Sequence, residues 1–380
     1  MKSLAEMVKS ESANETVKRQ ATWPRAVLII QSLDELDRLA RTWDSLGAQS
    51  ASPMQHFIWA RAWAETGGPD DRLQAVVVGS TQRPLAIAPL VKRRRGFGRL
   101  ELLGVHELNE PMDLLYADPE SLASLSTALA KLGSPVFLKR VSADSPMIGA
   151  LRRAYRGRGL VICREVAGYS SIALDDGWRE PEQKFNPGRR SDFRRAQRKA
   201  EKLGEVSYEV LSPALRELEP LLEEAFRVEA ACWKGQEGSA LIQDAVRGNF
   251  FRRYAAAACQ QGILRLCFMR VNGWAAAMQL AVECAGGFWL LKVGYDEEFA
   301  YCSPGILLTL YTVRYAASRG LRYYEFLGAT EPWTEMWTRL VRPCVSLRAY
   351  PANLHGIAAL AIDLAKTAWS KWRKVVHRWR

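Results

Sequence analysis

Leu290-Leu-Lys-Val-Gly-Tyr-Asp-Glu-Glu-Phe-Ala-Tyr-Cys-Ser-Pro-Gly-Ile-Leu-Leu308 passes from an apolar strand through a short acidic loop into an amphipathic helix. Residues 287–294 read as the strand, and Ser303-Pro304-Gly305 as the start of the helix. Ser is a favourable N-cap, and Pro at the first helical position gives up an amide hydrogen that has no intrahelical partner in any case. Gly305 lets another group approach the backbone closely. A helix N-terminus with free amides, beside the C-terminal end of a strand, suits a phosphate or pyrophosphate. The same residues also describe an ordinary well-capped strand-to-helix turn.

The surrounding chain of 380 residues is long for one domain and comfortable for two. Its 48% hydrophobic and 25% charged residues fit a globular protein with a sizeable core. No apolar run approaches the roughly 20 residues needed to cross a bilayer, and residues 1–9 lack the apolar centre of a secretory signal. The seven cysteines show no CxxC pair or metal spacing, which points to reduced thiols in a cytosolic protein. His56, His106, His355 and His377 lie too far apart for a local metal motif, and no metal is expected. HExxH, GxSxG, Walker and GxGxxG patterns are absent. The net charge of +12 favours an anionic partner or surface.

Residues 1–24 are polar and unpatterned and read as a flexible tail. A strand at 26–30 precedes a helix at 32–46, where Ser32 and Glu35 form a capping box. A helix at 56–66 carries Phe57, Trp59 and Trp63. Strands at 73–78, 85–91, 99–105 and 112–116 follow, then helix 120–132, strand 135–141, helix 146–157 and strand 160–165. A last strand at 169–174 enters a linker near 175–188. The second half repeats that order: a basic helix at 190–203, strand 206–211, helices 213–231 and 240–260, and strands at 264–271, 275–282 and 287–294. The short connections between those three strands imply an antiparallel meander. Helix 303–319 and strands 321–327 and 345–350 complete an α/β layer with one crossover.

This order resembles the GCN5-related N-acyltransferase (GNAT) superfamily, and more closely the CelD/BcsL-type acetyltransferases, which are similar to the Fem-type transferases with tandem acyltransferase folds. In the first half the segments that carry the resemblance are Pro53-Met-Gln-His-Phe-Ile-Trp59 with Trp63, and Ile87-Ala-Pro-Leu90 followed by Lys92-Arg-Arg-Arg95. In the second half they are Glu229-Ala-Ala-Cys-Trp-Lys-Gly235 with Gly238-Ser-Ala240, Lys292-Val-Gly-Tyr-Asp296, Ser303-Pro-Gly305 and Tyr324-Glu-Phe-Leu-Gly328. Each piece is weak; their order and spacing are fairly specific. The chain departs from the family with Glu325 where Asp is common, and Trp333-Thr334 where Tyr-Lys is common.

The resemblance implies two GNAT-like domains, each a mixed central sheet flanked by helices, at 25–175 and 176–352, with the catalytic site in the second. It implies acetyl-CoA or another acyl-CoA as co-substrate, its pantetheine paired with strand 288–294 through Val293, Gly294 and Tyr295. The pyrophosphate then meets the amides around Ser303, Gly305 and Ile306. Direct acyl transfer to an amine in a ternary complex needs no enzyme nucleophile, which fits the lack of a nucleophile motif. Glu325, on a strand rich in aromatics, suits a proton acceptor whose pKa burial would raise; pairing with Arg322 or Lys292 is the alternative. Glu229, four residues before Trp233, is a second candidate base or a solvated helix face. Lys292, alone in an apolar strand, marks an ion pair, a ligand contact or a solvated edge. Trp233, Lys234 and Trp333 are candidate walls of a substrate pocket, or core.

Arg190, Arg194, Arg198 and Lys202 form a stripe on the basic helix, with Arg195 and Lys199 alongside. Arg194 and Arg198 are candidate contacts for a phosphate-bearing substrate, for the 3′-phosphate of the donor, or for RNA; a solvated face explains them equally. At the other end, 353–380 forms an amphipathic helix with apolar Ile357, Leu364, Trp372 and Trp379 opposite Lys and Arg. It reads as a helix lying on an anionic membrane surface at 355–380, or as one docked on the second domain.

The expectation is a cytoplasmic acyl-CoA-dependent N-acetyltransferase acting on a small-molecule or sugar amine in polysaccharide or cell-envelope biosynthesis, peripheral to the inner membrane face if the terminal helix binds lipid. Two other classes stay open: a Fem-like transferase using aminoacyl-tRNA, and a non-catalytic adaptor of a membrane polysaccharide synthase, which Thr334 favours.

Overall fold

The computed structural model describes residues 26–47, 52–68, 71–94, 97–231 and 240–378. The first half contributes β1 (Val27–Ile30), β2 (Asp71–Leu73), β3 (Ala75–Gly79), β4 (Pro84–Ala88), β5 (Leu90–Arg93), β6 (Leu100–Leu102), β7 (Leu115–Tyr116), β8 (Val136–Ser142) and β9 (Gly159–Ala173). The second contributes β10 (Val206–Leu211), β11 (Leu264–Val271), β12 (Trp274–Cys284), β13 (Gly287–Tyr295), β14 (Tyr323–Leu327) and β15 (Val341–Pro351). Eleven of them form one mixed sheet in the order β10-β11-β12-β13-β14-β9-β15-β8-β6-β5-β2, and β1-β3-β4-β7 form a smaller one.

In the second half the expected meander is present: β10 to β13 pair antiparallel in sequence order. The crossover helix Pro304–Ser318 then returns the chain to β14, which lies parallel to β13. In the first half the strands expected at 73–78 and 85–91 are each divided, at Gln74 and Pro89. Pro89 has no amide to give a ladder, and the Gln74 amide donates to the Leu90 carbonyl at 2.9 Å. The chain thereby passes from the larger sheet to the smaller at Gln74 and back to the larger at Pro89. The two strands expected at 160–165 and 169–174 are one, β9. It pairs with β15 from Gly159–Pro351 to Ser170–Val341, and its end pairs with β14. On its far side β15 pairs with β8.

Each half therefore lends its last strand to the sheet of the other, and the sheet runs unbroken past the boundary expected at 175. The close approach needs glycine: a Cβ on Gly168 would sit 2.3 Å from the Arg342 carbonyl oxygen. The helix Phe57–Thr66 of the first half also packs on the helix Ala245–Gln260 of the second. Trp59 meets the rings of Phe250 and Tyr254 edge-on at 4.8 and 4.9 Å, and all three are buried. Contacts of this kind are worth about 0.5–1.5 kcal/mol beyond the area they bury, so the halves share one core.

Helix ends follow local chemistry. The basic helix is Pro187–Glu201, beginning before the expected 190 because Pro187 takes the first position and the Asn186 side chain accepts the Arg189 amide at 2.8 Å. The Ser32–Glu35 capping box forms, but the helix expected over 32–46 is two, Leu33–Asp37 and Ala40–Gly47. The tail expected at 1–24 lies outside the described residues. Among the described residues no helix is long and apolar enough to cross a membrane.

Candidate active site

β13 and β14 pair at only three positions, Gly287–Tyr323, Phe288–Tyr324 and Trp289–Glu325, and then diverge. A bulge drives the divergence. Opposite β12, Leu280 pairs with Lys292 but Ala281 with Leu290, so Leu291 is the extra residue that bends β13 away. On the other side Leu327 and Gly328 both have positive φ (55° and 56°) and turn the chain outward. Leu in that region carries strain, a feature of functional sites. Beyond Trp289 no described strand pairs with β13 on the side of β14, and residues 290–295 border a cavity of about 560 Å³.

The cavity gathers most of the residues that the sequence singled out. Lys292, Val293, Gly294 and Tyr295 line it from β13; Ser303, Pro304, Gly305 and Ile306 from the helix start; and Phe326, Gly328 and Trp333 from β14 and its loop. Ser303 differs from expectation. Its φ and ψ are 52° and 54°, its side chain makes no capping bond, and its carbonyl instead accepts the Ile306 and Leu307 amides. The Ser303 amide also donates to the Ala300 carbonyl at 2.9 Å, so the expected anion contacts at Ser303 and Ile306 already have backbone acceptors, and the turn carries no side-chain cap in front of Gly305. At Gly305 an added Cβ would meet only Tyr295 Cδ1, at 3.7 Å, so no part of the described chain makes the close approach. Gly294 has an internal explanation: its Cβ would lie 2.6 Å from the Glu229 Cα.

Glu110, from the first half, lines the same cavity and was not singled out by sequence. It is 3% exposed, its Oε1 lies 3.6 Å from Lys292 Nζ, and its Oε2 has no hydrogen-bond partner among the described residues. Burial pushes its pKa up, while Lys292, Arg140 and the Gly328 amide oppose the rise. Lys292 Nζ also sits 4.7 Å from the centre of the Phe251 ring. Arg140 is 2% exposed and donates to the Gly328 carbonyl, fastening the first half to the site. A short helix, Val105–Leu108, and the positive-φ Asn109 aim the chain at the cavity just before Glu110.

Other expected site residues lie elsewhere. Glu325 is 1% exposed and pairs with Arg342 at 2.8 Å, not with Arg322 or Lys292; it does not line the cavity. Period-2 alternation puts Phe326 on the cavity and its neighbour on the other face. Glu229 is buried rather than on a solvated face, and its Oε2 accepts the Leu241 amide at 2.9 Å. Neither carboxylate lines the cavity. Arg194 and Arg198 are exposed on the basic helix, away from the cavity lining. That helix nevertheless docks beside the helix start, where Lys199 Nζ donates to the Tyr301 carbonyl at 3.1 Å. Trp233 and Lys234 lie outside the described residues. Thr334 is buried, and its hydroxyl pairs with Ser170 at 3.0 Å, pinning the loop to β9. Removing Arg342 would strand the Glu325 charge. Arg342→Ala is expected to lower stability by about 2–4 kcal/mol in urea unfolding while leaving ligand binding in the cavity unchanged.

The first half has an equivalent junction, and it is closed. β6 and β8 also pair in parallel at just two positions, Leu100–Val136 and Glu101–Phe137. The following helix, Pro119–Lys131, likewise starts with Pro, but Asp118 caps it, accepting the Ser121 amide at 2.7 Å. A carboxylate of the chain itself holds the position that Ser303 leaves open.

Against this geometry the comparisons can be set. Residues 187–335 match the acetyltransferase (GNAT) domain. The fold of the chain is that of tandem GNAT-like halves. It is similar to the C-terminal domain of a putative lysylphosphatidylglycerol synthetase from Agrobacterium fabrum, at 11% identity and a TM-score of 0.55 over 88% of this chain and 96% of that one. It is also similar to FemX, at 12% identity and a TM-score of 0.52 over 86% and 98%. At such identities the likeness is one of fold. No curated protein sequence matches the chain significantly. The GNAT match spans the cavity, its helix and Trp333, and leaves Glu110 outside.

Proposed function

We propose that the protein is an acyl-CoA-dependent N-acyltransferase, with acetyl-CoA as donor and the amine of a sugar or other small molecule as acceptor. The observation that carries this reading is the cavity between β13 and β14, open to an uncapped helix N-terminus, within a GNAT domain. When bound, the thioester supplies an activated acyl carbon. Lys292, Val293 and Gly294 line the cavity from β13, along which the pantetheine arm would run, and the first turn of Pro304–Ser318 receives the pyrophosphate. Arg194 and Arg198, exposed on the basic helix that docks on Tyr301 through Lys199, are the cations this reading assigns to a further phosphate group.

Glu110 completes the site. An amine attacking the acyl carbon displaces the thiolate, and the proton it sheds passes to Glu110 Oε2. Burial raises the pKa of this carboxylate and makes it a stronger base than a surface glutamate, while Lys292 favours its ionised form against that rise. Because the ionised form is active, the rate is expected to rise with pH along a limb centred above the ordinary glutamate range. For stability the sign is opposite. The folded state holds the Glu110 proton more tightly than the unfolded chain does, so stability falls as pH rises through that same interval. A pH–rate profile of thiol release and pH-dependent melting check the two signs.

The amino-sugar acceptor and a role in cell-envelope polysaccharide synthesis rest on the family resemblance. The test is release of free thiol from acetyl-CoA with a panel of amino sugars and other amines. Release that depends on amine supports the reading. Inertness toward every acyl-CoA, with salt-sensitive binding of tRNA, would transfer the site to the aminoacyl-tRNA alternative.

A further inference from the structure

The chain ends in a helix, Leu354–Arg378, whose root and remainder differ. At the root, Asn353 accepts the Gly356 amide at 2.9 Å and donates to the Gly133 carbonyl at 2.9 Å. Asp363 then pairs with Arg348 at 3.0 Å and accepts the Tyr350 hydroxyl at 2.7 Å. Past Asp363 the described large apolar side chains are exposed: Leu364 by 52%, Trp369 by 63% and Trp372 by 57%. Ile357, nearer the root, is exposed by 61%. At 100° per residue Ile357, Ala361, Leu364, Ala365, Ala368 and Trp372 fall in one stripe with Trp369 at its edge, and the Trp369 and Trp372 rings lie 5.3 Å apart.

Charge identifies what covers that stripe. After Asp363 the sequence has Lys366, Lys371, Arg373, Lys374, Arg378 and Arg380 and no acidic residue. A second copy of the helix would bring two such cation sets together with nothing to offset them. An anionic lipid surface satisfies both the apolar stripe and the cations, and Trp favours the boundary between headgroups and acyl chains. The helix is not apolar enough to cross, so it lies in the plane of the surface.

We propose that Leu354–Arg378 binds the surface of an anionic bilayer and holds the protein there. The experiment is co-sedimentation of the full chain with vesicles of phosphatidylcholine alone or mixed with phosphatidylglycerol. Expected are binding to the mixed vesicles, at least about tenfold weaker binding to the neutral ones, and weakening by salt. Trp369→Ala with Trp372→Ala, both on exposed positions, is expected to lose vesicle binding without changing the melting temperature. Absence of binding to the mixed vesicles, or binding unchanged in the double variant, overturns the proposal. So does a dimer seen by light scattering that the double variant abolishes, since the stripe would then belong to a second copy. Vesicle binding needs no acyl donor, so this outcome is independent of the acyl-transfer reading.

Discussion

Glu110→Gln is expected to lower kcat for amine acylation by about 10²–10⁴-fold, the usual contribution of a positioned general base. Gln keeps the shape of the side chain and can still face Lys292, 3.6 Å from the carboxylate, but it takes no proton. Affinity for the acyl donor is expected to stay within a few-fold, because the donor contacts come from β13 and the helix start. The pH–rate limb assigned to Glu110 is expected to vanish with it. A variant that keeps both rate and limb would leave the proton with another group. Glu325→Gln is the instructive contrast. Its carboxylate belongs to the Arg342 pair outside the cavity, so the loss expected there is of stability, not of the chemical step.

Gly305→Trp is expected to weaken binding of acetyl-CoA by at least about 100-fold, or roughly 2.7 kcal/mol. The position lies in the first turn of Pro304–Ser318 and lines the cavity. An indole there would fill the space in front of the amides. Gly305→Ala is the control. Its Cβ would make an ordinary contact with Tyr295 at 3.7 Å, so fold and binding are both expected to survive. Calorimetric titration of the three proteins, with melting curves to confirm folding, separates a blocked site from a damaged one.

The strand end and helix start that border the cavity were legible because they are local. Strand, loop and Ser303-Pro304-Gly305 are contiguous, and their residue types mark a strand end and a helix start. The expected meander and crossover followed from the same local signals. What sequence missed is long-range. Glu110 reaches the cavity from the other half, in a stretch with no motif, and only the sheet shared through β9 and β15 brings it to Lys292. A charged residue just before Pro111 was the local hint. Glu325 and Glu229 have structural partners, Arg342 and the Leu241 amide, that no local pattern announced. Ser303 was read as a capping residue from its type alone. Its left-handed backbone, set by the loop before it, removes the cap and opens the site. Thr334 proved to be a buried pin between the halves, so its departure from the family pattern reflects packing as much as chemistry.

The central claim is that the β13–β14 cavity takes an acyl-CoA, and the most direct measurement is a calorimetric titration of acetyl-CoA into the wild-type protein at moderate salt. The account predicts saturable binding with one donor per chain in the micromolar range, lost in Gly305→Trp and kept in Glu110→Gln. No binding by a folded wild-type protein, or binding that Gly305→Trp leaves intact, would contradict it.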